Sequence, residues 1–258
     1  MKRIVSLFMV FVFLTVFSPA ALADSGFDVD IFNNSQIRVQ SEDFGQDMRV
    51  MVEKSGEKYY YSLNNSQELL PVQLGNGSYT VKILKNIDGN RYKVLKTSNL
   101  KLDNTGNDVY ISSSQPVYWE EDGLKTLANS LMKDAFTNED KVKAAYTYIT
   151  ENISYDVDKI KRIDTSYVPC VSSTINSKTG ICYDYSALFA GLLRSQGIPT
   201  KLVKGYGKFS NEYHAWNEVY VNDKWQVVDT TYDAAAVKAG VKLTMYKELK
   251  DYQKIREY

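Results

Sequence analysis

The sequence predicts an α+β protein: a small all-β domain followed by a mixed helix-and-strand domain. Three features predict it. Short alternating or β-branched runs, separated by turn residues, recur at roughly ten-residue spacing from Phe27 to Ile111. Composition changes near Ser112–Pro116, and helical patterning starts just beyond. An apolar helix headed by Cys182 is then followed by a close succession of strand-like runs. The expected divisions are a signal peptide at 1–23, a β-domain at 24–115 and a second domain at 116–258.

Residues 1–23 read as a secretory signal. Lys2 and Arg3 give a basic start, and Ile4–Phe17 is apolar apart from Ser6 and Thr15. Ser18-Pro19 breaks the run, and Ala21-Leu22-Ala23 offers the small residues a signal peptidase reads. The run falls short of the ~20 residues that span a bilayer. No stable membrane insertion is therefore expected after cleavage, and the mature protein is expected to be secreted or extracytoplasmic, with the cell envelope as one place of association.

In 24–115, Gln36–Gln40, Met48–Val52, Lys58–Ser62 and Tyr79–Leu84 read as strands, with a turn at Asn76-Gly77. Asp88-Gly89-Asn90 folds Tyr79–Leu84 back on Tyr92–Lys96 as a hairpin. The spacing suggests an immunoglobulin-like sandwich. No chemically matched set of residues stands out there, so its expected role is that of a spacer or binding module.

In 116–258, helical patterning runs from Glu120 to Met132. Thr137-Asn138-Glu139-Asp140 is a capping-box pattern opening a second helix through Val142, Ala145, Tyr148 and Ile149. Asn152–Asp156 ends it, and a polar stretch leads to Lys178. The Cys182 helix presents Ala187, Leu188, Gly191 and Leu192 on one apolar face, and its small residues allow close approach to a sheet. It ends at Gln196-Gly197, ahead of Pro199. Strands are expected at Lys201–Tyr206, Ala215–Val221 and Trp225–Asp229, and Tyr246–Tyr258 is expected to be a charged helical tail.

Lys+Arg and Asp+Glu are equal at 31 each, and loss of Lys2 and Arg3 with the signal leaves a slightly acidic mature chain. That charge gives no footprint for nucleic acid or an anionic membrane. The one histidine argues against a catalytic zinc site, and no acidic loop has calcium-ligand spacing, so neither metal nor cofactor is expected. Asp156 and Asp184 lack the carboxylate partner that glycosidase chemistry needs. Two cysteines, Cys170 and Cys182, are too few for a disulfide scaffold. Cys170 reads as a small buried hydrophobe; the alternative is a Cys170–Cys182 bridge that would mask Cys182.

Cys182 follows Thr179-Gly180-Ile181 at the head of its helix, where unpaired N–H groups favour the thiolate, the reactive form of the side chain. His214 could take its proton and Asp229 could orient the imidazole. If Asn222-Asp223 is a two-residue turn, Trp216 faces Asp229 across the hairpin, and His214 shares their face because strand side chains alternate. Asp229 is then the diagonal neighbour of His214, ~7–8 Å away between Cα atoms.

The motif Gly180-Ile181-Cys182-Tyr183-Asp184-Tyr185-Ser186-Ala187-Leu188, continued by Leu192-Leu193-Arg194-Ser195-Gln196-Gly197-Ile198-Pro199-Thr200, resembles the bacterial transglutaminase-like domain. So do Gly205-Tyr206, Tyr213-His214-Ala215-Trp216-Asn217-Glu218-Val219, Trp225 and Val228-Asp229-Thr230-Thr231. The resemblance covers about 120–235. It implies a papain-like core, with a Cys-bearing helix packed on an antiparallel sheet that carries His and Asp. By position it implies Cys182 as nucleophile, His214 as general base and acid, and Asp229 as orienting carboxylate. The chain departs from eukaryotic transglutaminases in having Ile181 and Tyr183 where they place Gln and Trp, and in lacking their upstream oxyanion-binding Trp. Beside the Cys182 N–H, Tyr155 and Asn176 are the candidate oxyanion donors.

The expected function is a secreted thiol enzyme performing acyl transfer on protein or peptide amides through a Cys182 thioester, with transglutaminase-type cross-linking as its outcome. The alternatives are a cysteine peptidase or deamidase of the same fold and a non-catalytic envelope-binding protein. The expected partner is a protein or peptide substrate, a cell-envelope protein among the candidates.

Overall fold

Apolar residues on alternate positions pull seven strands into the first core. The strands are β1 (Phe27–Phe32), β2 (Gln36–Ser41), β3 (Gly45–Lys54), β4 (Glu57–Leu63), β5 (Gln67–Pro71), β6 (Gly77–Asp88) and β7 (Arg91–Leu102). They form two antiparallel sheets, in the orders β1-β2-β5 and β4-β3-β6-β7. Ile37 and Val39 of one sheet meet Val50, Val52, Tyr61, Val81 and Ile83 of the other in a shared core. The computed structural model describes residues 26–103, 107–120, 123–208 and 210–258. The expected signal peptide lies outside them. Among the described residues no helix is long and apolar enough to cross a membrane.

Between Val109, which belongs to the first core, and Val117, which belongs to the second, the chain passes from one packing unit to the next. The helices that follow are α1 (Leu124–Leu131) and α2 (Asn138–Asn152). α1 starts later than the patterning from Glu120 predicts, with Gly123 left-handed ahead of its first turn. α2 opens as expected: Thr137 Oγ1 accepts from the Asp140 N–H, and the Asp140 carboxylate accepts from the Thr137 N–H.

The stretch between α2 and Cys182 is more ordered than its polarity suggests. It holds β8 (Ser154–Tyr155), α3 (Lys159–Arg162), α4 (Val171–Ser177) and β9 (Thr179–Gly180). β8 and β9 pair in parallel just before α5 (Cys182–Arg194). The remaining elements are β10 (Thr200–Gly207), β11 (Ser210–Val221), β12 (Lys224–Val228), α6 (Thr230–Lys238), β13 (Tyr246–Lys247) and β14 (Tyr252–Glu257). They complete a five-stranded antiparallel sheet in the order β13-β12-β11-β10-β14. Leu188, Leu192 and Leu193 of α5 pack with Leu202 and Val219 of that sheet. At Gly191 a Cβ would lie 3.1 Å from Leu124, so the missing side chain lets α1 close on α5. The result is an α+β protein with N-terminal β-sheets.

The tail expectation is corrected. Residues 252–257 form β14 on the free edge of β10, not a helix. Edge hydrogen bonding won over the helical reading that the charges suggest, because Lys254 pairs with Glu218 and Glu257 while Tyr252 turns inward. Gly205 makes the pairing possible. A Cβ there would lie 2.0 Å from the Gln253 carbonyl oxygen and 2.9 Å from the Trp216 ring. We predict that Gly205→Ala destabilises the protein by ~1–3 kcal/mol through overpacking, measured by chemical denaturation; unchanged stability would mean that β14 is not held as described.

Candidate active site

The first turn of α5 is fixed from below. The Asp184 carboxylate, fully buried, accepts from the Ile181 N–H at 2.8 Å, from Lys159 Nζ at 2.8 Å and from the Tyr167 hydroxyl. Gly180 has to be glycine, since a Cβ would come within 2.6 Å of Asp184. Together these contacts hold the N-terminus of the helix, and Cys182 with it, at the floor of a cleft of about 830 Å³.

His214 and Asp229 reach the same cleft from the sheet. Asn222 and Asp223 both have left-handed φ, 54° and 60°, and form the two-residue turn. The hairpin pairs Val221 with Lys224 and Asn217 with Val228, the register the turn requires. His214 Nε2 lies 2.9 Å from Asp229 Oδ2. Its other ring nitrogen remains for Cys182, whose side chain also hydrogen-bonds the imidazole. Asp229 Oδ1 accepts from the Tyr232 N–H and caps α6, so the turn-initiating and imidazole-orienting roles fall to one residue.

Burial alone would lower the His214 pKa. The hydrogen bond to Asp229, then that to Cys182, outweigh it and push the value up from 6.5 to about 10. Because the folded protein holds this proton more tightly than the unfolded chain, the stability from this arrangement is complete below pH 6.5 and disappears as pH rises through about 10.

Four more side chains shape the site. Tyr252 of β14 donates its hydroxyl to Asp229 Oδ2 at 3.1 Å. Trp216 packs between His214 and Tyr252, with ring centroids 6.4 and 5.0 Å away, and shields the carboxylate. The Tyr155 hydroxyl accepts from the Cys182 N–H; burial, then the neighbouring Cys182, Glu212 and Asp184 charges, push its pKa up to about 12, so it stays protonated. Lys204 lines the cleft with its ammonium 3.3 Å from the centre of the Tyr183 ring. Burial lowers its pKa to about 7 against the attraction of Cys182.

The structure thus brings Cys182, His214, Asp229 and Tyr155 together and leaves Asn176 out. Asn176 is exposed on α4 and does not line the cleft, so it is dropped as an oxyanion donor. Cys170 is exposed, not a buried hydrophobe, and neither it nor Cys182 is in a disulfide. The Cys170 Sγ accepts from the Ser173 N–H and caps α4, which keeps it at the surface. Tyr252, Lys204 and Lys159 were not singled out from sequence. Tyr252 lies in the segment expected to be helical, and no local pattern joins it to Asp229. Among the described residues no cluster of His, Cys, Asp or Glu could hold a metal ion.

We predict that Asp229→Asn lets burial dominate and drops the His214 pKa well below 10, followed by NMR on the one imidazole of the protein. Tyr252→Phe should move it less, since Asp229 keeps its contact with the ring. An unmoved pKa in Asp229→Asn would refute the coupling.

With this geometry in place, residues 125–230 match the transglutaminase-like superfamily. The kyphoscoliosis peptidase of Mus musculus is 30% identical over 147 residues, covering 53% of this chain and 21% of that protein. Its counterpart in Homo sapiens is 31% identical over 125 residues, covering 45% and 19%. Uncharacterized protein YebA of Bacillus subtilis (strain 168) is 30% identical over 202 residues, covering 65% and 26%. The chain spans about a fifth to a quarter of the length of these relatives.

Proposed function

Because this chain carries a transglutaminase-like superfamily domain, we propose that it is a secreted thiol enzyme that cleaves protein or peptide amides through a thioester on Cys182. The observation that carries this reading is the imidazole of His214 held between the Asp229 carboxylate and the Cys182 thiol in an accessible cleft. The basic, apolar and small-residue succession of residues 1–23 supports export.

The steps follow from the placements. Cys182 passes its proton to His214 as it attacks, and the helix N-terminus favours the anion that forms. The sulfur attacks the amide carbonyl carbon, and the carbonyl π electrons move onto oxygen. That oxyanion takes the place next to the Cys182 N–H that the Tyr155 hydroxyl now fills, and the phenol turns its O–H towards it. Collapse expels the amine or ammonia as His214 delivers its proton, leaving the thioester. Neutral His214 then removes a proton from water, hydroxide adds to the thioester carbonyl, and the thiolate leaves as the acid forms. A primary amine in place of water would give a cross-link by the same steps. Asp229 holds the ring and offsets its charge throughout.

Hydrolysis is the favoured outcome. The rim residues Tyr155, Ile160 and Tyr213 are all exposed, which gives water free entry to the thioester, whereas a narrow dry passage would favour an amine. The relatives named as peptidases support the same choice. A cell-envelope protein is the substrate class that export makes available. For the N-terminal domain we keep the immunoglobulin-like reading, supported by its sheet orders β1-β2-β5 and β4-β3-β6-β7.

The test is mass spectrometry on mature protein incubated with glutamine-rich polypeptides and a labelled primary amine. Chain cleavage or deamidation that disappears in Cys182→Ala is expected; Cys182-dependent amine incorporation would replace hydrolysis by cross-linking. Tyr155→Phe should lower kcat by ~10²–10³-fold with little change in KM, measured on whichever substrate is turned over. Wild-type kcat in that variant would remove Tyr155 from the oxyanion site.

A further inference from the structure

The cleft around Cys182 adjoins a second cavity. Ile163 lines the cleft, and the same Ile163 lines this cavity of about 460 Å³ on the seam between the two domains. One side of that cavity is formed by Arg162, Asp164 and Tyr167, the other by Gly45, Gln46 and Asn64 of the β-domain. β3 carries an irregularity in its pairing with β4 between Gly45 and Arg49, and this swings Gln46 out of the ladder towards the seam.

The wall common to both cavities is anchored at both ends. On the β-domain side, Ser62 Oγ donates to the Ser166 carbonyl at 2.9 Å, Asn64 Nδ2 donates to the same carbonyl at 3.2 Å, and Arg49 reaches the Thr165 hydroxyl at 3.4 Å. On the catalytic side, Tyr167 and Lys159 both bond Asp184, two residues from Cys182. The segment that separates the two cavities, Ile163 included, is therefore held between Asp184 and the β-domain.

Resting on the amide-cleaving reading above, we propose that the N-terminal domain supplies the distal part of the substrate site. In this arrangement an extended polypeptide, its scissile amide at Cys182, runs past Ile160 and Ile163 and lies against Gly45, Gln46 and Asn64. The chemistry along the course suits a peptide chain. On the cleft wall near Cys182, Tyr155 at 42% and Ile160 at 46% exposure offer apolar faces to side chains, among the exposed polar residues Ser154, Glu212 and Lys238. Beyond Ile163 the lining turns to side-chain amides and charges, which serve the N–H and C=O that every residue of an extended chain presents. Because the two cavities share Ile163, an extended chain can occupy both, whereas a small acyl donor fits in the first alone.

The test compares the rate at which two probes alkylate Cys182 in the full mature protein, read by intact mass. One is an electrophilic diazoketone isostere of glutamine, blocked at both ends; the other carries the same isostere at the centre of an unstructured polypeptide. The polypeptide probe is expected to react about tenfold faster, the effect of a few added contacts. Gln46→Trp, which fills the seam from an exposed position, should erase that advantage and leave the small probe's rate unchanged, while Gln46→Ala should keep most of it. Equal rates for the two probes on the wild type, or an advantage that survives Gln46→Trp, would overturn the proposal. Equal slowing of both probes by Gln46→Trp would overturn it too, showing only a distorted fold. If neither probe labels wild type faster than His214→Ala, the acyl-transfer reading itself fails, a result distinguishable from loss of length dependence alone.

Discussion

The carboxylate of Asp229 is 2% exposed and carries a formal charge that burial would make costly unless its lone pairs are filled. Three donors fill them, and each comes from a different element: the imidazole from β11, the phenol of Tyr252 from β14, and the Tyr232 N–H from α6. β10 lies between β11 and β14 in the sheet, so Tyr252 can reach Asp229 only where β10 presents no side chain. Gly207 is that place, paired with Tyr252, where a Cβ would lie 3.3 Å from the phenol ring; two residues earlier Gly205, paired with His214 and Lys254, leaves its space to Trp216. The order of the sheet, the turn at Asn222-Asp223 and the cap of α6 all serve this one ion.

A second buried carboxylate does the corresponding work under the nucleophile. Asp184 takes its donors from its own helix, from α3 and from the segment after α3, and so holds the thiol end of the pair as Asp229 holds the imidazole end. Each of the two carboxylates accepts from three donors. Removing either would leave unpaired buried donors in place of an organised site.

Most of this was legible where the pattern is local. The capping box at Thr137, the small-residue face of α5 and the hairpin at Asp88-Gly89-Asn90 each follow from a few neighbouring residues. The two-residue turn at Asn222-Asp223 set the His214–Asp229 geometry without knowledge of the rest of the sheet. What sequence concealed depends on long-range partners. Tyr252 has no local mark that ties it to Asp229, and the charges of 246–258 masked an edge strand whose period-two pattern matters only once β10 is beside it. Cys170 was misjudged because free cysteine is usually buried, whereas here its sulfur caps a helix at the surface. The short elements α3 and α4 lie in polar sequence and are set by tertiary contacts to Asp184 and the β-domain.

The ring of Tyr258, next to β14, packs edge-on against Tyr59 and Tyr61 of the β-domain, and its carbonyl accepts from Arg194 at the end of α5. The strand that completes the Asp229 site is thus also the clasp between the two cores. Its partners are far away along the chain, so the loop-closure cost of forming these contacts is high and falls late in folding. Neither core can lose β14 without exposing part of the other, which couples their unfolding into one cooperative event. The active site and the domain junction then share a single lifetime.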